Sequence, residues 1–84
     1  MQSIQDLLNR IRWDPEFSQG DFEIGFLDHT ENHEIRIHFK AMGFDKQDHF
    51  FFHYFDHDGV LHDVPLHRIK SVYKNGQRIW HREH

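Results

Sequence analysis

The chain has 84 residues, 37% of them hydrophobic, no cysteine, and a formal charge of −4 with histidine neutral. A length of this order fits one domain, residues 1–84, with a modest core, and the lack of cysteine excludes disulfides, a thiolate nucleophile and cysteine-ligated zinc or iron–sulfur sites. No apolar run is long enough to span a membrane, and Met1-Gln2-Ser3-Ile4-Gln5-Asp6 is no signal peptide, so the expected compartment is the cytoplasm.

Ser3 opens a helix as its cap, with Asp6 near the positive end of the helix dipole. Ile4, Leu7, Leu8 and Ile11 follow at i, i+3, i+4 and i+7, one apolar stripe. Arg10 and Arg12 fall near the C-terminal end, where cations are favoured. Pro15 stops the pattern and pushes Asp14 toward extended geometry.

The period then changes to 2. Phe22, Ile24 and Phe26 alternate with Glu23 and Gly25; Ile35, Ile37 and Phe39 alternate with Glu34, Arg36 and His38. With Thr30-Glu31-Asn32 as the turn, these read as a hairpin of half-buried strands. Ala41 to Asp48 reads as a connection. His49 to Asp56 reads as a strand with aromatic residues on both faces, hence central in a sheet or covered on both sides. Asp56-His57-Asp58-Gly59 is a turn signal, followed by an extended Val60–Val64 and then Pro65. Ile69, Val72 and Tyr73 lie in a further strand. Asn75-Gly76 is the strongest hairpin signal, a type I′ turn leading into Ile79 and Trp80. The predicted fold class is α+β: one N-terminal helix packed on a curled, mainly antiparallel sheet or small barrel of about six strands.

Charge is uneven. Residues 1–64 carry five Lys/Arg and thirteen Asp/Glu, net −8, whereas residues 65–84 are net +4. The ten histidines equal Lys and Arg together, and protonating all of them moves the net charge from −4 to +6. Free imidazole titrates near pH ~6.5, so charge depends steeply on pH just below neutrality.

His49, His53 and His57, on one strand face, spread over about 26 Å, too far for one metal. No two-histidine-plus-carboxylate spacing stands out among the others, so the histidines read as solvated or partly packed imidazoles and no metal is expected. The Asp56-His57-Asp58-Gly59 loop lacks the glutamate of a calcium loop, with His67 in its place. There is no nucleophile elbow, Walker loop or dinucleotide-binding glycine pattern, so neither a catalytic set nor a cofactor is indicated.

The informative region is C-terminal. Val64-Pro65-Leu66-His67-Arg68-Ile69-Lys70 sets an imidazole, a guanidinium and an ammonium within four residues, and Arg78-Ile79-Trp80-His81-Arg82 interleaves cations with an indole. Such a pattern suits phosphate pairing with base stacking. It also suits a basic edge strand with Trp80 in the core.

Four blocks, Leu7-Leu8-Asn9-Arg10-Ile11-Arg12-Trp13-Asp14, Phe22-Glu23-Ile24-Gly25-Phe26-Leu27-Asp28, Val64-Pro65-Leu66-His67-Arg68-Ile69 and Asn75-Gly76 with Ile79-Trp80-His81-Arg82, together resemble the RNA cyclic-group-end recognition domain family. The resemblance implies a module that binds RNA 3′ ends carrying a 2′,3′-cyclic phosphate or related processed ends, alone or alongside RNA-processing enzymes. Carried over by position, it points to Asn9, Arg10, Trp13, Asp14, Asp28, His67, Arg68, Trp80 and Arg82. His29 and His81 depart from the basic and acidic residues the family often has there. The expected mechanism is binding without turnover. His67 and Arg68 grip the terminal phosphate, with Arg12 or Arg82 as a second cation and Arg10 and Lys70 adding positive charge. Trp13 or Trp80 stacks on a base, although a tryptophan in so small a domain is first expected in the core. Asp14 either orients an arginine, contacts a ribose hydroxyl, or fixes the turn before Pro15. Two other readings stay open: a protein-interaction domain using the Phe-rich strand, and a histidine-based metal-binding domain. Oligomeric state is not legible.

Overall fold

The computed structural model describes residues 2–27, 33–45, 47 and 49–82. The expected turn at Thr30-Glu31-Asn32, and the family positions Asp28 and His29, lie outside the described residues.

The first element is the helix α1 (Ile4–Trp13), whose apolar stripe Ile4, Leu7, Leu8 and Ile11 is buried. Ser3 caps it as expected, its hydroxyl accepting the Asp6 amide at 3.1 Å. Asp14 ends it in extended geometry while its own amide still donates to the Arg10 carbonyl. This is the consequence of Pro15, whose ring crowds a helical conformation at the preceding residue.

Among the described residues seven strands follow: β1 (Phe22–Leu27), β2 (Glu34–His38), β3 (Gly43–Phe44), β4 (Phe51–Phe55), β5 (Leu61–Pro65), β6 (Ile69–Lys74) and β7 (Gln77–His81). They form two antiparallel sheets, of order β2-β1-β6-β7 and β3-β4-β5. The α+β class with one N-terminal helix on antiparallel strands is as expected, and the alternative of a small barrel is corrected, because the strands lie in two sheets that do not close. Two short 3-10 turns carry the chain between them, Phe39–Ala41 after β2 and Leu66–Arg68 after β5. Pro65 lacks an N–H and holds φ at −63°, so it suits the last position of a strand that must turn away.

The sheets meet through aromatic rings. Phe26 of β1 lies 5.4 Å from Phe52 and 5.5 Å from Tyr54, both of β4. β4 is central in its sheet, as its aromatic pattern suggests, but it is covered on one face only. Phe52 is fully buried, whereas Phe51 and Phe55 of the opposite face are exposed. Helix α1 closes the core, its stripe joining Phe22, Ile24, Ile69, Val72 and Trp80 in one cluster. Full burial of a side chain such as Phe52 contributes roughly 1.5–3 kcal/mol.

The Asn75-Gly76 turn has positive φ at both residues, 52° and 84°, the type I′ geometry expected. Asn75 also ties this hairpin to the strand entry: its Oδ1 accepts the Asp21 amide at 2.9 Å and its amide donates to the Asp21 carbonyl at 2.7 Å. A bulge pairs Val72 with Trp80 and Tyr73 with Arg78. Ile79 is thereby the extra residue on β7 and is left exposed.

Candidate functional site

The structure distributes the expected site residues over separate places. Arg10 and Asp14 face each other across the last turn of α1 (Nε to Oδ2, 3.6 Å), and the Arg10 guanidinium sits 4.1 Å over the Phe17 ring. Asp14 Oδ1 accepts the amides of Glu16 and Phe17 at 3.0 and 3.1 Å. Chiefly the Phe17 amide, with the Glu16 amide and Arg10 adding to it against some desolvation, holds the Asp14 carboxyl below its ordinary range. Arg10 and Asp14 are thus engaged in shaping the turn. Lys70 is half-buried on β6, and its carbonyl accepts the Arg82 amide at 2.8 Å.

Five other expected residues, Asn9, Arg12, His67, Trp80 and Arg82, border one continuous groove along α1. At one end is a cleft of about 420 Å³ lined by Gln2, Gln5, His49, Phe50, His67 and Arg82, with Trp80 in its wall. The adjoining depression shares Gln5, His49 and Leu66 and continues to Asn9, Arg12, Phe44 and Asp45. Gln5, Asn9 and Arg12 fall on one flank of the helix because they are spaced by four and three residues. That flank runs about 10 Å from Gln5 to Arg12 at ~1.5 Å per residue. The facing wall is the chain entering β4, fixed to the helix by a hydrogen bond from the Gln5 side chain to the His49 carbonyl at 3.0 Å.

Each end of the groove carries a positioned guanidinium. Arg82 donates through Nη1 to the His67 carbonyl at 2.8 Å, and its Cζ lies 5.2 Å from the Trp80 ring centre. Trp80 is held in turn by its indole N–H, which donates to the Gln2 carbonyl at 2.8 Å. Arg82 is therefore braced by one hydrogen bond and one ring, and among the described residues most of its five donors have no partner. At the far end Arg12 lies between two rings, 5.0 Å over Trp13 and 4.8 Å over Phe44. It has no hydrogen-bond or ion-pair partner among the described residues.

The two tryptophans divide. Trp80 is buried, 8% exposed, as expected for the core, whereas Trp13 is 72% exposed beside Arg12. Trp13 falls just past the buried stripe, on the solvent side of the helix end. Phe50, 73% exposed, adds a second open ring at the Arg82 end.

Arg68 is not in this groove. It is adjacent to His67, but residues of a 3-10 turn diverge by about 120°. Arg68 lines a different cleft with Phe51, Tyr54 and His62. The expected joint grip of His67 and Arg68 on one phosphate is therefore not what the fold arranges.

Sequence reasoning missed Gln5, His49 and Phe50. Gln5 was legible as the start of the Gln5, Asn9, Arg12 flank. His49 and Phe50 read as strand residues, but β4 starts only at Phe51. Among the described residues there is no group of three or more His, Asp or Glu suited to a metal ion, and no helix is long and apolar enough to cross a membrane.

No curated protein and no solved structure matches the chain. The model of one family, the MJ1316 RNA cyclic group end recognition domain, matches residues 1–82, nearly the whole chain. The chain belongs to that family.

Proposed function

We propose that this domain binds the 3′ end of RNA in the groove along α1, without turnover, and that the Arg82 end of the groove takes the terminal phosphate. The observation that carries the reading is the bracing of Arg82 by the His67 carbonyl and the Trp80 ring. A guanidinium held this way offers a planar fork to a phosphate at little further entropic cost. His67 and His49 line the same cleft and add imidazole donors. Arg12 supplies the second cation and Trp13 the stacking surface at the opposite end. The flank of about 10 Å from Gln5 to Arg12 accommodates two or three stacked nucleotides at ~3.4 Å each. The family membership supports RNA ends as the ligand class.

The test is fluorescence anisotropy with a short labelled RNA ending in a 2′,3′-cyclic phosphate. Arg82→Gln and Arg12→Gln are each expected to weaken binding by about 10- to 100-fold, the range of a charge-assisted contact. Arg10→Gln, whose side chain is engaged with Asp14 and Phe17, is expected to leave affinity within about twofold. Equal losses from all three variants would mean a diffuse basic surface instead of a built site.

One observation favours a second reading. Phe55 and Leu61 are cross-strand neighbours and, with Val60, expose apolar surface at the β4–β5 hairpin. This is the surface a protein-interaction domain would use.

A further inference from the structure

The cleft that contains Arg68 lies on the other side of Phe51 from the groove. It measures about 330 Å³ and is lined by Leu27, Phe51, Tyr54, His62, Pro65 and Arg68, with Phe26, Val64 and Asp63 completing its walls. Phe51 borders both this cleft and the α1 groove, so the two depressions meet at that residue.

Two groups in the cleft are arranged for a ligand. Arg68 is half-buried and has no hydrogen-bond or ion-pair partner among the described residues. A guanidinium drawn partly out of water without a carboxylate leaves its fork of donors open to an oxyanion. His62 is built in the opposite way, fixed on two sides. Its ring stacks on Tyr54, with centroids 5.1 Å apart and planes at 16°. Its Nε2 lies 2.7 Å from Asp56 Oδ2.

Asp56 is itself anchored, because Oδ1 accepts the amides of Asp58 and Val60 at 2.9 Å each. The hydrogen bond from His62, followed by the Val60 amide, holds the Asp56 carboxyl below its ordinary range. A carboxylate oxygen accepts this hydrogen bond from Nε2, which leaves Nδ1 as the ring nitrogen available to a ligand. The locked imidazole thus offers a defined second edge, and its side chain is 42% exposed.

We infer that this cleft is a ribonucleotide subsite, in which Arg68 takes a phosphate and His62 Nδ1 hydrogen-bonds a ribose hydroxyl. Its position across Phe51 from the groove makes the ligand an internal nucleotide of the bound RNA; this placement rests on the RNA-end reading above. The chemistry the cleft recognises, a nucleoside monophosphate, is also that of a free nucleotide, and the experiment separates the two sources.

The experiment has two arms on the intact domain. In the first, AMP alone is titrated while arginine side-chain and histidine ring resonances are followed by NMR. In the second, affinities are measured for RNAs of two to six nucleotides that share one 3′-terminal sequence and cyclic phosphate. The subsite predicts a rise in affinity once the RNA is long enough to pass Phe51. In Arg68→Gln and His62→Ala that rise is expected to fall by about tenfold, while the shortest RNA binds within twofold of wild type. Thermal melts confirm that both variants are folded. AMP that shifts Arg68 and His62 when no RNA binds removes the RNA-end reading and leaves a free-nucleotide site. RNA that shifts only the α1 groove, with no length-dependent step and no effect of either variant, overturns the subsite and leaves the RNA-end reading standing. Absence of shifts with AMP and with every RNA overturns both.

Discussion

Truncating each tryptophan separates fold from function. Trp13 is 72% exposed and its one ring contact among the described residues is with the Arg12 guanidinium at 5.0 Å. An exposed cation–π contact is worth about 0.5–1 kcal/mol, so Trp13→Ala should cost no more than about 1 kcal/mol of stability. Trp80 is 8% exposed, lies in the core cluster and donates its indole N–H to the Gln2 carbonyl. Replacing a buried aromatic residue by Ala costs about 3–5 kcal/mol. At ~0.05–0.15 kcal/mol per residue, a domain of this length has a total stability of about 4–13 kcal/mol. Trp80→Ala thus removes a large share of it, whereas Trp80→Phe keeps most of the packing and loses chiefly the hydrogen bond, about 1 kcal/mol. Urea titrations followed by circular dichroism read these values directly. For binding the order reverses: loss of a base stacked on Trp13 costs about 1–3 kcal/mol, a rise in Kd of roughly 5- to 150-fold. Trp80→Phe should bind nearly as tightly as wild type. A folded Trp13→Ala with unchanged RNA affinity refutes the stacking role, and a loss of more than about 2 kcal/mol on its truncation contradicts its placement in solvent.

Gly20 has φ +112°, and a Cβ there would stand 2.9 Å from Asn75 Oδ1, the atom that accepts the Asp21 amide. Gly20→Ala is therefore expected to destabilise by about 1–3 kcal/mol, whereas Gly59→Ala, equally left-handed but with nothing within 4 Å, should cost only the backbone strain, about 1–2 kcal/mol; equal melting points for the two would show that the Asn75 contact contributes nothing. Stability should also fall on acidification. Asp14 and Asp56 both have folded-state values below their ordinary 3.8, so their contribution is complete above that value and is lost as pH falls through the lower folded value. Asp14→Asn and Asp56→Asn should each flatten the loss of melting temperature between about pH 5 and pH 2, and an unchanged slope in both would locate the acid sensitivity elsewhere.

Local signals carried much of the fold. The Ser3 cap, the Ile4-Leu7-Leu8-Ile11 stripe and the stop before Pro15 act within one or two turns of chain, and they placed α1. Asn75-Gly76 fixed its hairpin in the same way, since a type I′ turn selects those residues. The division into two sheets was not legible. β3 is only Gly43–Phe44, too short to show alternation, and Gly43 serves as a floor for the His53 ring of β4, where a Cβ would collide. The aromatic run in β4 marked a central strand but could not say that one face stays open, because no sequence pattern distinguishes an exposed Phe51 or Phe55 from a covered one.

The candidate site was legible as a set of residues and not as a geometry. His67 and Arg68 are neighbours in sequence, yet the 3-10 turn after Pro65 aims them into different clefts. Arg82 and His67 are brought together by the pairing of β6 with β7 and by a contact between the Arg82 side chain and a backbone carbonyl. Such tertiary hydrogen bonds leave no mark in spacing. The His62–Asp56 pair was hidden for the same reason: the turn residues read as turn residues, and only the folded hairpin sets the imidazole on the carboxylate and against Tyr54.

The most direct measurement is an NMR titration of the isotopically labelled domain with three RNAs of one sequence, ending in 2′,3′-cyclic phosphate, 3′-phosphate or 3′-hydroxyl, in moderate salt. End recognition at the α1 groove predicts shifts at Arg82, His67, His49 and the Gln5 side chain that are largest and saturate earliest with the cyclic end. Shifts of equal size for all three ends, or shifts confined to the Phe55–Leu61 face, would contradict it.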